Sequence, residues 1–555
     1  MTNTPAPQTV QADIVIRNGR IIDGTGAQWF HGDVAIRGDR IVGVGRDFRV
    51  DAHRHIEAGG HVICPGFIDL HTHSDLMMLT DTAHSAKVRQ GVTTDVVGQD
   101  GLSYAPLTDE TAHYFPEALV GINGRGEGLD FAWRTVDQFL GLYDNRSSIN
   151  AAMLAPHGNI RSAIMGLELG DANDEQLAQM AQITTQCMAD GAVGVSTGLT
   201  YAPCSYGNEA ELIAICTAAA KFGGYFAPHL RNYGPKMNEA VEEVIRVCKA
   251  AEMALHLTHF HSSFECGVGR AQQYLDRINA ARSEGLEITL DMYPYTVAST
   301  FLIGLLPGWI HAGGRDALLA RLQDPDILPR LKKEMEEGHS DGLQFVPTDW
   351  TWIRISGVET QANEDLIGKT IAEAAEIRGR SRFEQYVRVM VEENLNVNAQ
   401  LEVGYEDNLQ LMMQDPGFAP ASDGLLIGGL PHPRAWGTFA RYLGHYTRDL
   451  GIYELSDCIR RMTSLPARRL GLWDRGILRP GMAADVVVFE PETIRDTATF
   501  AEPKQFPTGI DYVLVNGVVA VDSGQQTSAR AGRGLRRGRP TFGAAQLIKD
   551  RRGHE

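Results

Sequence analysis

Between residues 66 and 474, short β-rich runs alternate with longer helical stretches, and this rhythm restricts the fold more than any other feature of the chain. The runs cover residues 91–98, 192–196, 224–229, 255–259 and 287–291, and helical patterns over 208–222 and 238–251 stand between them. Strands separated by one helix each are the pattern of a parallel α/β sheet, and a length of roughly 350 residues suits a (β/α)8 TIM barrel with insertions. The stretch 305–352 breaks the rhythm with a charged helical segment from Arg315 to Gly338, so an inserted subdomain is expected there.

The two ends of the chain follow a different rule. Residues 12–17, 32–37 and 40–45 alternate apolar and polar with period 2, and Asn18-Gly19 and Gly38-Asp39 supply turns. The same alternation returns over 484–489 and 510–521, with Asn516-Gly517 as a hairpin signal. Residues 1–65 and 475–530 are therefore expected to build one small β-sandwich beside the barrel of residues 66–474. The basic tail 531–555 follows, and its Arg/Gly-rich run from Ala529 to Arg539 reads as a solvated arm.

Composition narrows the partners. The chain of 555 residues is 43% hydrophobic and 22% charged, the balance of a globular protein able to bury a core. Its net charge of −18 disfavours nucleic acid and anionic membrane surfaces. A small-molecule substrate is the expected partner, and association into a homo-oligomer is left open. Seven widely spaced cysteines without C-x-x-C pairs point to a reducing compartment. With no run of 18 apolar residues and no apolar core in the first 12, a cytoplasmic location is expected.

The chemistry begins at Pro65-Gly66-Phe67-Ile68-Asp69-Leu70-His71-Thr72-His73, where two histidines two residues apart end an apolar run. On a strand both rings point to one side and share a cation, and strand ends are where barrel enzymes carry catalytic groups. An isolated His-x-His arises often by chance, but His229 and His259 end later strands and converge on the same mouth. Asp423, in Ala421-Ser422-Asp423-Gly424, is placed to add a carboxylate.

Further motifs span nearly the whole chain: Gly194-Val195-Ser196-Thr197-Gly198-Leu199 with Tyr201-Ala202-Pro203, Asp291-Met292-Tyr293-Pro294-Tyr295-Thr296 with Ser299, His432-Pro433-Arg434, and Gly476 to Val488. Together with the histidine pair they resemble the amidohydrolase superfamily, and within it the D-aminoacylase (N-acyl-D-amino-acid deacylase) family. The resemblance implies a (β/α)8 barrel flanked by a β-sandwich, with one or two Zn2+ ions held by His71, His73, His229 and His259. It implies Asp423 as the base that activates water and then as the acid to the leaving nitrogen. Tyr201, Tyr293, Ser299 and Arg434 match positions lining the family's substrate pocket.

Three places depart from the family pattern. Gly98-Gln99-Asp100-Gly101 stands where the family carries a cysteine ligand, so Asp100 takes the ligand's place with a harder donor. His261 replaces a lysine that helps hold the substrate carboxylate. The run Pro228-His229-Leu230-Arg231-Asn232-Tyr233 differs on both sides of its histidine. The reaction that the resemblance implies is hydrolysis of the amide of an N-acyl amino acid, D-configured in the family, by metal-activated water. A cyclic amide or imide, an ester or a lactone is the alternative substrate class on the same machinery, and a catalytically inactive binding protein is the alternative of a different kind.

Overall fold

The computed structural model describes residues 9–46 and 48–538. Strands from both ends of the chain meet in one nine-stranded sheet. The seam is the antiparallel pair Val62–Pro65 with Val486–Phe489, in register from Val62 opposite Phe489 to Pro65 opposite Val486. Period-2 alternation sorts its side chains. Ile14, Ile16, Val34 and Ile36 from the first end share a core with Val486, Val488 and Leu514 from the second, while Val487, Phe489, Val513 and Val515 join the main core of the molecule.

Two parallel sheets form the centre. One runs Phe67–Asp69, Val92–Val97, Asn150–Met153; the other runs Ala155–Pro156, Val195–Gly198, Tyr225–His229, Ala254–Leu257, Ile288–Met292, Phe418–Pro420. Every residue of Val92–Val97 and Ile288–Met292 is buried, as expected of parallel strands covered on both faces. Long helices return the chain between them, among them Asp174–Asp190, Glu209–Ala220, Met237–Ala251 and Ala271–Ser283. Asn173 and Asn208 cap two of these by accepting from Gln176 N and Glu211 N, which satisfies donors that an uncapped first turn leaves open. The two sheets are joined in sequence through Leu154, and at their far ends Asp423 N donates to the His71 carbonyl at 2.8 Å and His73 N to the Gly424 carbonyl at 3.0 Å.

The insertion between Ile288–Met292 and Phe418–Pro420 extends beyond residues 305–352 on both sides. It contains an antiparallel sheet of Val297–Phe301, Asn398–Glu402 and Ile353–Gly357. Its own core runs from Phe301 to Val403 and includes Trp350, Tyr386 and Met390. Short strands interrupted by helices hide such a sheet from pattern reading, because each strand finds its partner far along the chain.

The Arg/Gly run is not a solvated arm over its described part. Gly532 N donates to the Ser147 carbonyl at 2.9 Å, Leu535 N to the Ala151 carbonyl at 2.7 Å and Arg537 N to the Gly191 carbonyl at 3.0 Å. Leu535 is fully buried, and Arg533 and Arg536 reach Asp39 and Asp137, each at 2.6 Å. The glycines permit this approach: a Cβ at Gly532 would fall 1.9 Å from the Ile149 carbonyl oxygen. Residues 539–555 of the expected tail lie outside the described residues. No helix among the described residues is long and apolar enough to cross a membrane.

Candidate metal centre

His71 and His73 follow the Phe67–Asp69 strand and are buried with their rings 5.6 Å apart. Asp100 projects from the turn after Val92–Val97, where Gly98, Asp100 and Gly101 all have positive φ. Aspartate tolerates this conformation better than most side chains, and such strained turns gather at functional sites. His229 ends the Tyr225–His229 strand, His259 lies just past Ala254–Leu257 with φ +30°, and Asp423 lies past Phe418–Pro420 with φ +46°.

These groups converge. Asp100 Oδ1 is 3.8 Å from His71 Nε2 and 3.5 Å from His259 Nε2, and its Oδ2 is 3.6 Å from His73 Nε2 and 3.8 Å from His229 Nδ1. Asp423 Oδ1 lies 3.5 Å from His71 Nε2 and 3.3 Å from His73 Nε2. Among the described residues, His71, Asp100 and His259 form one group with ligand atoms within 4.8 Å of one another, and His71, His73 and Asp423 form another. His71 Nδ1 and Nε2 and Asp100 Oδ1 are buried without hydrogen-bond partners. Buried polar atoms are rarely left so, and imidazole nitrogens and carboxylate oxygens in this number are a donor set that suits zinc.

Electrostatics distinguish the members. Burial opposes charge on His71, but the carboxylates of Asp423, Asp291 and Asp100 prevail and hold it up to about 9. His229 is pushed down to about 3 by burial and by His259 beside it. Burial also opposes charge on Asp100 and Asp423, yet the surrounding histidines, and for Asp423 chiefly Arg434, hold both well below the usual carboxylate range.

A cavity opens over the cluster. Ten of the eleven residues expected from sequence line it: His73, Asp100, Tyr201, His229, His259, His261, Tyr293, Ser299, Asp423 and Arg434; His71 lies beneath. Arg434 is fully buried, its Nη1 3.0 Å from Asp423 Oδ2 and its Nη2 donating to the Ser299 carbonyl at 3.0 Å. Its guanidinium lies over the Tyr293 ring at 4.4 Å, and its Nε is buried without a partner. The His261 ring is 4.3 Å from Tyr293, with its Nε2 also unpartnered.

Several groups that sequence reasoning did not assign complete the site. Asp291 accepts from His259 N at 2.7 Å, pairs with His256 Nε2 at 2.8 Å and faces His71 Nδ1 at 3.6 Å. Tyr233 Oη is 3.0 Å from His259 Nδ1, and Thr200 Oγ1 is 2.9 Å from His229 Nε2. Below them, fully buried Lys87 donates to Asp69 Oδ2 and Ser422 Oγ, and Asp69 Oδ1 accepts from His71 N and Ser422 N. The Asp-Met-Tyr-Pro motif marked Asp291 without giving it a role; a lone lysine such as Lys87 carries no signal of burial.

The model of a family described as the amidohydrolase family matches residues 54–521. The chain belongs to this family. This amidohydrolase is 33% identical to a D-aminoacylase of Alcaligenes xylosoxydans xylosoxydans over 525 residues, 95% of this chain and 98% of the relative. It is also 33% identical to an N-acyl-D-glutamate deacylase of that organism, across 97% and 99% of the two chains. Among solved structures it resembles the N-acyl-D-glutamate deacylase of Bordetella bronchiseptica, complexed with zinc and a phosphonate that mimics the tetrahedral intermediate. That likeness has a TM-score of 0.81 and 31% identity, covering 95% of this chain and all of the other.

Proposed function

We propose that this amidohydrolase is a zinc-dependent N-acyl-D-amino-acid deacylase. The meeting of Asp423 with His71, His73 and Arg434 carries the reading: one carboxylate faces the histidine cluster with one oxygen and is fixed by a guanidinium through the other. His71, His73, His229, His259 and Asp100 would hold one or two zinc ions. When bound, zinc supplies an electrophile for the amide carbonyl and makes water acidic enough to be deprotonated near neutral pH.

The chain's own residues then move the protons. Asp423 Oδ1 takes the proton from the attacking water, and Arg434 keeps the carboxylate ionised and aimed while it waits. Asp423 afterwards returns that proton to the leaving nitrogen. Arg434 Nε, buried without a partner, is the donor left for the substrate carboxylate, with Tyr293 and Ser299 shaping the pocket beside it. His261 adds a neutral hydrogen-bond donor or acceptor there. Tyr201 closes the opposite side, its ring 4.7 Å from that of His229.

The same reading takes the parallel strands as a closed (β/α)8 barrel, supported by the hydrogen bonds between the ends at His71 and Asp423, and takes residues 1–65 with 475–530 as a sandwich domain on residues 66–474. Seven free cysteines support a reducing, cytoplasmic setting. Zinc-loaded protein should hydrolyse N-acetyl-D-amino acids in preference to the L-forms. Turnover of hydantoins or lactones without that of N-acetyl-D-amino acids would replace the deacylase reading.

A further inference from the structure

A second cavity lies behind the first. The two share Thr200, Tyr201 and Gly304 in their walls. The partition is one aromatic ring deep. Tyr201 stands between His229, 4.7 Å away on the cluster side, and Phe301, 5.5 Å away. Its Oη is 3.3 Å from Thr300 Oγ1. Gly304 leaves the ring room: a Cβ there would sit 3.0 Å from Tyr201 Cε1 and 3.5 Å from Phe301 Cε1. Behind the ring the lining is mainly apolar, with Leu102, Phe115, Leu119, Ile303 and Leu318; Arg315, which also lines it, is tied to the Asn394 carbonyl.

Position selects the occupant. The scissile carbonyl must lie over the cluster, with the amino-acid side of the amide toward Arg434. Asp423 contacts Arg434, while His229 at the other end of the cluster packs on Tyr201. The substituent on the acyl side therefore projects toward the Tyr201 partition. We propose that the cavity behind Tyr201 is an acyl-chain subsite, which gives this enzyme a preference for N-acyl substrates carrying an extended apolar acyl group over N-acetyl substrates. This rests on the deacylase reading for its substrate class. A lining that is mainly apolar with few polar groups is typical of pockets that take small-molecule chains.

The test uses zinc-loaded full-length protein and N-acetyl-, N-hexanoyl- and N-decanoyl-D-methionine. kcat/KM should rise with chain length, by up to about fourfold per buried methylene. Ala118→Phe, which fills the second cavity, should lower the decanoyl-to-acetyl ratio of kcat/KM at least tenfold; Ala118→Leu gives a smaller drop and serves if the larger side chain prevents folding. A flat or falling series in the wild type, or an unchanged ratio in folded variants, overturns the subsite. Binding to Asp423→Asn protein separates this from the deacylase reading. If no N-acyl-D-methionine is hydrolysed yet the decanoyl compound binds at least tenfold more tightly than the acetyl compound, the deacylase reading fails and the subsite stands; equal binding there overturns the subsite as well.

Discussion

Asp423 Oδ2 lies 3.0 Å from Arg434 Nη1, both side chains buried, so the carboxylate that faces the histidines has one oxygen committed to a fixed cation. Asp423→Asn should therefore cut hydrolysis by about 10²–10⁴-fold, the range for loss of a positioned acid–base group. Metal content, read by elemental analysis, should stay near wild type. Full activity in this variant would remove Asp423 from the chemistry.

Arg434→Lys tests the fork. A lysine keeps the charge but loses the planar pair of donors that reaches both Asp423 and the Ser299 carbonyl. KM for N-acyl amino acids should rise and kcat should fall together, by roughly tenfold or more each. A change in KM with kcat intact would confine Arg434 to substrate binding.

Asp100 is the position at which metal preference should respond. Asp100→Ala should weaken zinc retention against a chelator by at least about tenfold, as loss of a ligand or its close support does. Asp100→Cys should keep zinc, since thiolate is a good zinc ligand, and should shift preference toward softer ions. Unchanged stoichiometry, affinity and rate in both variants would show that Asp100 takes no part in holding metal.

Lys87→Met leaves Asp69 buried beneath the site without its cation. Breaking a buried pair in this way costs about 3–5 kcal/mol, so the midpoint of denaturant unfolding should fall clearly. Adding Asp69→Asn should recover much of the loss. If Lys87→Met unfolds as the wild type does, the pair contributes nothing to holding His71 and Ser422.

The pH response of stability should carry the mark of His157, whose Nε2 is 2.6 Å from Glu211 Oε1 in a buried group that includes Arg161. Burial opposes its charge, while Cys204 and Glu211 prevail and hold it up to about 9. A folded-state value above the unfolded one means stability that is complete below about 6.5 and is lost as pH rises toward 9. The wild type should lose unfolding free energy over that window, on the order of 3 kcal/mol from this group, and His157→Gln should lose less. Parallel profiles would show that His157 is neutral when folded.

The parts of this architecture that were legible in the sequence are those written locally. His71 and His73 sit two residues apart at the end of an apolar run, and the strand–helix rhythm repeats within windows of a few tens of residues. Asp291, Tyr233 and Lys87 were not legible in the same way. Each acts on a partner many residues distant, such as Asp291 on His71 or Lys87 on Ser422, and nothing in the local pattern of a lysine reports that it is buried. The Arg/Gly run misled for a related reason: its composition is that of a solvated segment, whereas its glycines let the backbone dock and its arginines find Asp39 and Asp137.

The pairing of Val62–Pro65 with Val486–Phe489 sets a timetable for synthesis. The first of these strands, which precedes Phe67–Asp69 and the histidine pair, leaves the ribosome early, but its neighbour arrives after most of the chain has been made. Until then its edge hydrogen bonds are open to other strands. Slow translation or truncation upstream of residue 486 should thus be felt first as aggregation of the nascent chain, before any defect in the chemistry of the finished enzyme.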